Sequence, residues 1–153
     1  MFSESFYLSI ILILFFASLW FLLEEVWDLA LFSKRSPEKE VKNLSTLRAL
    51  SLFEHHDDII AIDVRPFAHY RKRRLPQAVS APYENDSLDT GDLTVLDPDN
   101  PILVYCDGGY RSRRAISALV SAGFTKVFHL NRGILMWRLF GGPTETDSTP
   151  PSQ

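Results

Sequence analysis

The chain has 153 residues, 46% of them hydrophobic and 23% charged, which leaves room for one ordinary domain and a small appendage. Its net charge of −3 gives no general attraction to nucleic acid. A single cysteine excludes an internal disulfide and a thiolate-rich zinc site.

From Phe6 to Leu23 there are eighteen consecutive uncharged residues, mostly Leu, Ile and Phe. As a helix this run is ~27 Å long, close to the ~30 Å hydrocarbon core of a bilayer. Tyr7 lies near one end, and Trp20 and Trp27 towards the other, as interfacial aromatic anchors do. Residues 1–5 carry only Glu4 as a charge, and Leu19 to Leu23 offer no small-residue cleavage site. A retained anchor therefore fits better than a removed signal peptide. Residues 1–32 are read as an N-terminal transmembrane anchor with its span at about 6–23. Lys34, Arg35, Lys39 and Lys42 follow the span, and no Lys or Arg precedes it. The positive-inside rule then predicts a single-pass membrane protein whose domain faces the cytoplasm. A reducing cytoplasm also suits a cysteine that stays free.

Residues 33–41 read as a polar linker and 42–142 as the folded domain. Leu44, Leu47, Leu50 and Phe53 recur at helical spacing, predicting a short amphipathic helix. Ile59 to Ile62 is a compact apolar run ending at Asp63, the pattern of a buried parallel strand. Phe67 to Arg73 makes one or two helical turns before Pro76, and Ala78 to Ala81 a short strand. Residues 83–100 are acidic and rich in turn formers, so a loop with at most one helical turn is expected. Ile102 to Tyr105 is a second apolar run and ends on Cys106. A helix over Ser112 to Ala122, a strand over Val127 to Leu130 and a helix over Ile134 to Phe140 complete the pattern, and the Pro/Thr/Ser-rich residues 143–153 are expected to be disordered. Strand, turn and helix alternate, which predicts an α/β domain with a mostly parallel sheet.

In such a sheet the ligand site lies beyond the carboxyl ends of the strands, where both Asp63 and Cys106 stand. Two glycines follow Cys106, and a helix starts near Ser112. Gly108 and Gly109 let the backbone curl so that successive amides face one point, next to a helix N-terminus that favours negative charge. The thiolate is the reactive form of cysteine, and this setting favours it, so Cys106 is the predicted nucleophile. Arg111, with Arg65 and Arg113 as further candidates, supplies positive charge for an anionic substrate. Asp107 is discordant: a carboxylate beside the thiol opposes the thiolate unless it points away or pairs with an arginine. The plainer alternative is a tight glycine turn around an inert, buried cysteine.

Arg71-Lys72-Arg73-Arg74 reads as a solvated helix end, or more sharply as a contact for anionic lipid headgroups held near by the anchor. His55 and His56 are an isolated, exposed pair and a poor metal site. His69 and His129 have no evident partner in the sequence and are given no catalytic role. No metal and no cofactor are expected.

The stretch ILVYCDGGYRSRRAISALVSAGFTKVFHLNRGILMWRLFGGP, with IIAIDVRPFAHY and RRLPQAVSAP upstream, resembles a single-domain rhodanese of the sulfurtransferase family. The resemblance covers roughly residues 42–142. It implies a parallel sheet flanked by helices and a Cys106 that takes sulfane sulfur from a donor such as thiosulfate. The persulfide so formed would pass its sulfur to a thiophilic acceptor. Amides of the loop Asp107, Gly108, Gly109, Tyr110 and Arg111 would cradle it, Asp63 and Arg65 would fix the loop, and Ser112 would support it. Four residues separate Cys106 from Arg111, against five in the related phosphatases, so the cradle suits sulfur better than phosphate. With one cysteine in the chain, the acceptor must be another molecule: a small thiol, cyanide or a protein. Arg73-Arg74, Gln77 and Arg132 replace residues usual in the family and mark a divergent member. A catalytically inactive, membrane-recruited binding module of the same fold is the alternative function.

Overall fold

In the computed structural model, which describes residues 4–33, 40–56 and 58–147, the predicted apolar runs become neighbouring strands. Among the described residues the main sheet has five parallel strands, in the order β1 (Glu40–Leu44), β7 (Lys126–Leu130), β6 (Ile102–Tyr105), β2 (Ile60–Asp63) and β3 (Val79–Ser80). β6 is central and all its residues are buried, which is why it reads as an unbroken apolar run rather than an alternating one. Its Leu103 and Tyr105 pack into a cluster with Ala49 of α2 (Thr46–His55) and with Ile134 and Trp137 of α5 (Gly133–Leu139). Trp137 is fully buried and meets Phe53 edge-on at 5.4 Å, a geometry aromatic rings favour. Ile102 and Val104 face the other way by strand alternation. Helix α4 (Tyr110–Ser121) packs on β6 and β7 and buries Ala115, Ile116 and Leu119. The expected α/β sheet flanked by helices is what the chain forms.

Three expectations need correction. The linker expected over 33–41 gives way at Glu40 to strand β1, which pairs with β7 along its whole length from Glu40↔Lys126 to Leu44↔Leu130. An edge strand with one covered face alternates polar and apolar, so EVKNL lacks the apolar run that marks the inner strands. Because Leu44 belongs to the strand, α2 begins at Thr46, after an extended Ser45.

The region 83–100 is not simply a loop. It contains a hairpin of β4 (Tyr83–Glu84) and β5 (Ser87–Leu88), followed by a 3₁₀ turn at Gly91–Leu93. Asn85 and Asp86 form the two-residue connection, both at positive φ (49° and 60°), as the turns that match strand twist require. Asp86 pairs with Arg114 of α4, tying the hairpin tip to the domain.

Of the expected disordered tail, residues 143–147 are held in place, and 148–153 lie outside the described residues. Trp137 Nε1–H donates to Pro143 O at 2.8 Å, and Arg74 and Glu145 exchange backbone hydrogen bonds of 2.9 and 2.8 Å. Asp147 pairs with Arg71 and Arg74 at 3.0 and 2.7 Å; hydrogen bonds from Arg74 first, then Arg71, hold its carboxyl below the ordinary range. Two members of the basic run on and after α3 (Phe67–Lys72) are thus engaged within the chain rather than left to lipid headgroups.

The chain divides into two units, Met1–Arg35 and Ser36–Gln153. The first is helix α1 (Glu4–Ser33), 30 residues long. Among the described residues no helix is long and apolar enough to cross a membrane, so the expected span at 6–23 is not established. Side chains in α1 are described over 7–20 and 22–23. These residues are nonetheless exposed and mostly apolar, Ile13 and Trp20 among them.

Candidate active site

Cys106 follows the last residue of the central strand and is buried. Its Sγ accepts hydrogen bonds from Gly109 N–H at 3.2 Å and from the Ser112 hydroxyl at 3.4 Å. Gly109 sits at φ 95°, and a Cβ there would fall 1.7 Å from Asn131 O, so only glycine lets the loop turn at this point. Gly108 is different: a Cβ would meet nothing within 4 Å, and the residue serves by leaving the cleft open. Of the two glycines expected to curl the loop, one is required.

The loop is also held from outside. Gly133, at φ 58°, opens α5 directly against it; a Cβ would meet Cys106 O at 2.3 Å and Asp107 O at 2.4 Å. This closeness lets the next two amides bond the loop, Ile134 N–H to Cys106 O at 2.9 Å and Leu135 N–H to Asp107 O at 3.2 Å. Arg132 stands at φ −105°, where any residue is at ease, so the substitution there is accommodated.

Asp63 and Arg65 form the buried support beneath the loop. Asp63 is fully buried and accepts from Arg65 Nε at 2.9 Å, Arg65 Nη2 at 2.7 Å, Arg65 backbone N–H at 3.0 Å and Tyr105 O–H at 2.8 Å. The same guanidinium donates to Asp107 Oδ1 at 3.2 Å and to Arg73 O. Burial disfavours its charge, but hydrogen bonds and attraction from Asp63 outweigh that and hold its pKa above the ordinary value. Burial first, and then the Asp63 carboxylate, push the Tyr105 phenol well up. The discordance at Asp107 is thereby resolved, since its carboxylate is paired with Arg65 and lies 3.4 Å from His69 Nδ1. Arg65 is consequently spent on structure and is not a free cation for substrate.

Residues 46–139 match the family described as Rhodanese-like domain. The chain belongs to this family. A sulfurtransferase of Allochromatium vinosum is 28% identical over 87 residues, covering 57% of this chain and 78% of that protein. Thiosulfate sulfurtransferase 18 of Arabidopsis thaliana is 28% identical over 131 residues, covering 78% of this chain and 95% of that one. The crystal structure of the Alr3790 protein from Anabaena sp. superposes with a TM-score of 0.61 at 28% identity, over 69% of this chain and 94% of that one.

In this rhodanese-like domain, Cys106 opens onto a cleft of about 680 Å³. The β4–β5 hairpin from Tyr83 to Asp86 forms one wall, and Tyr110, Arg111 and Arg114 form the other. Of the predicted cations, Arg111 lines the cleft, whereas Arg113 reaches Asn131 Oδ1 at 3.4 Å. Ser112 is fully buried behind the sulfur. Gln77 adopts φ 53° after Pro76. The glycine usual in the family at this point would relieve a cost of roughly 1–2 kcal/mol for an L-residue in that region. Among the described residues there is no cluster of His, Cys, Asp or Glu suited to a metal ion.

Sequence reading missed His129 and Asn43. His129 is fully buried, with Nε2 at 2.9 Å from Ser112 Oγ and Nδ1 at 2.8 Å from Asn43 Oδ1. Its partners lie 17 and 86 residues away, so no local motif could reveal them. The only available signal was a histidine set inside an otherwise apolar strand.

Proposed function

We propose that the chain is a sulfurtransferase carrying sulfane sulfur on Cys106. The observation that carries this reading is a cysteine sulfur held by an amide and a hydroxyl beside an open cleft. With thiosulfate, the Cys106 thiolate attacks the outer sulfur; the Sγ–S bond forms, the S–S bond of the donor breaks, and sulfite leaves with its electron pair. A thiolate or cyanide acceptor then attacks the outer sulfur of the persulfide and regenerates the Cys106 thiolate. Arg111, which lines the cleft, supplies positive charge for the anionic donor, and the four-residue loop suits one sulfur rather than a phosphate group. With no second cysteine, the acceptor comes from outside the chain, and an open cleft allows a protein as well as a small thiol. The case for a binding-only module rested on the Asp107 charge and the altered loops, and the pairing of Asp107 with Arg65 weakens the first of these.

Mass spectrometry of the chain after thiosulfate treatment should show a gain of about 32 Da, one sulfur atom, located on Cys106. Cyanide should discharge it, and Cys106→Ser should abolish it. A folded sample that gains no sulfur from any of several donors would defeat the reading.

The membrane tether belongs to the same proposal and draws on the exposed apolar face of α1 and the basic residues after it. Full-length chain should stay in the membrane pellet after an alkaline carbonate wash, and the chain lacking residues 1–35 should not. With the domain facing the cytoplasm, protease added outside intact cells should leave it uncut. A full-length chain found in the wash supernatant rules out the tether.

A further inference from the structure

His129 does more than fill space. It stands on β7 with its ring completely buried, and beside the Asn43 and Ser112 contacts its Nε2 lies 3.1 Å from Gly109 O. An aliphatic side chain would fill the same volume without bringing polar atoms that must be satisfied.

Gly109 O can only accept. A hydrogen bond between the ring and that carbonyl therefore requires a hydrogen on Nε2. Asn43 suits this in two ways: its amide oxygen accepts from Nδ1–H of a charged ring, or the amide turned over donates to Nδ1 of a neutral one. In both forms the Nε2 hydrogen remains.

The Ser112 hydroxyl then has one hydrogen and three neighbours: Nε2 at 2.9 Å, Gly109 O at 3.1 Å and Cys106 Sγ at 3.4 Å. It cannot donate to a protonated Nε2. With the His129 hydrogen and Arg113 N–H at 3.1 Å on it, Gly109 O has its two lone pairs occupied. Cys106 Sγ is the acceptor left.

We infer that His129 is a positioning residue: its Nε2–H occupies Gly109 O and so directs the Ser112 hydroxyl onto Cys106 Sγ. A hydrogen bond to Sγ favours the thiolate, which is the attacking group when sulfur is loaded and the leaving group when it is discharged. The link also ties β1 to the active-site loop, because Asn43 fixes the ring plane. This role deepens the sulfur-transfer reading, yet it concerns thiolate reactivity and is measurable without any sulfur donor.

The test compares full-length His129→Leu, His129→Gln, Ser112→Ala and the Leu/Ala double variant by the rate of Cys106 alkylation with iodoacetamide at neutral pH. Nitrogen-15 spectra of the His129 ring in the unaltered chain accompany it. Ser112→Ala and His129→Leu should each slow alkylation about ten-fold, the size of one hydrogen bond to an anion. The double variant should be no slower than either single one, because both remove the same interaction. His129→Gln, whose amide N–H can reach Gly109 O, should recover most of the rate, and the ring should show its hydrogen on Nε2. A folded leucine variant with the unaltered rate, losses that multiply in the double variant, a glutamine variant as slow as leucine, or a bare Nε2 each overturns the inference. If the leucine variant fails to fold, the ring spectrum decides. The expected alkylation pattern in a chain that takes up no sulfur would support this role while overturning the sulfur-transfer reading.

Discussion

Arg65→Ala is expected to lower the unfolding free energy by roughly 3–5 kcal/mol, because it leaves a buried carboxylate without its counter-charge. Asp63 would keep only the Tyr105 hydroxyl and one backbone N–H, too little to offset a fully desolvated negative charge. The same substitution removes the arginine partner of Asp107 beside Cys106 and releases Arg73 O, so sulfur loading should fall along with stability. Lysine would not substitute well, since a single ammonium cannot bridge Asp63, Asp107 and a carbonyl at once. Chemical denaturation followed by the fluorescence of buried Trp137 measures the effect. The paired change Asp63→Leu/Arg65→Met should recover much of the stability, as apolar replacement of both partners commonly does. A loss below about 1 kcal/mol for Arg65→Ala would mean the pair is not a stability element.

Gly109→Ala should damage the site more selectively. The new Cβ would fall 1.7 Å from Asn131 O at a φ of 95°, so the loop has to move. Gly109 provides the N–H on Cys106 Sγ and the carbonyl on which His129, Ser112 and Arg113 converge, and the shift would therefore displace the reactive centre itself. Displacements of about 1 Å cost on the order of 10²-fold in rate, and a loss of that size in Cys106 persulfide formation is expected. Gly108→Ala is the control for stability, since its Cβ meets nothing within 4 Å. Equal denaturation midpoints and equal Cys106 reactivity in the two variants would show that Gly109 does not hold the loop.

Much of the fold was legible because the inner strands are covered on both faces. Burial on two sides forces continuous apolar runs, and Ile59–Ile62 and Ile102–Tyr105 stood out for that reason, with Val127–Leu130 a weaker case interrupted by His129. Strand β1 was not legible: at the sheet edge Lys42 is exposed while Asn43 is buried, and five residues of mixed polarity resemble a linker. Two-residue strands such as β4 and β5 are too short to display any period. Residues 143–147 have the composition of a disordered tail, and they are held by a Trp137 hydrogen bond, by backbone hydrogen bonds to Arg71 and Arg74, and by ion pairs to those same two arginines, more than seventy residues earlier.

For the site, the amino-acid order by itself picked out the candidate nucleophile, the glycine turn and the start of the helix that follows, because all three lie within one short segment from Cys106 to Ser112. It could not determine what each charge in that segment is paired with. Whether Asp107 opposes the thiolate depends on Arg65, 42 residues away along the chain, and whether Ser112 faces the sulfur depends on His129 and, through it, on Asn43. Electrostatics and hydrogen bonding act through space over a few ångströms, whereas sequence records only neighbours along the backbone. Only the parallel sheet, which sets the ends of β2 and β6 side by side and brings β1 against β7, decided those pairings.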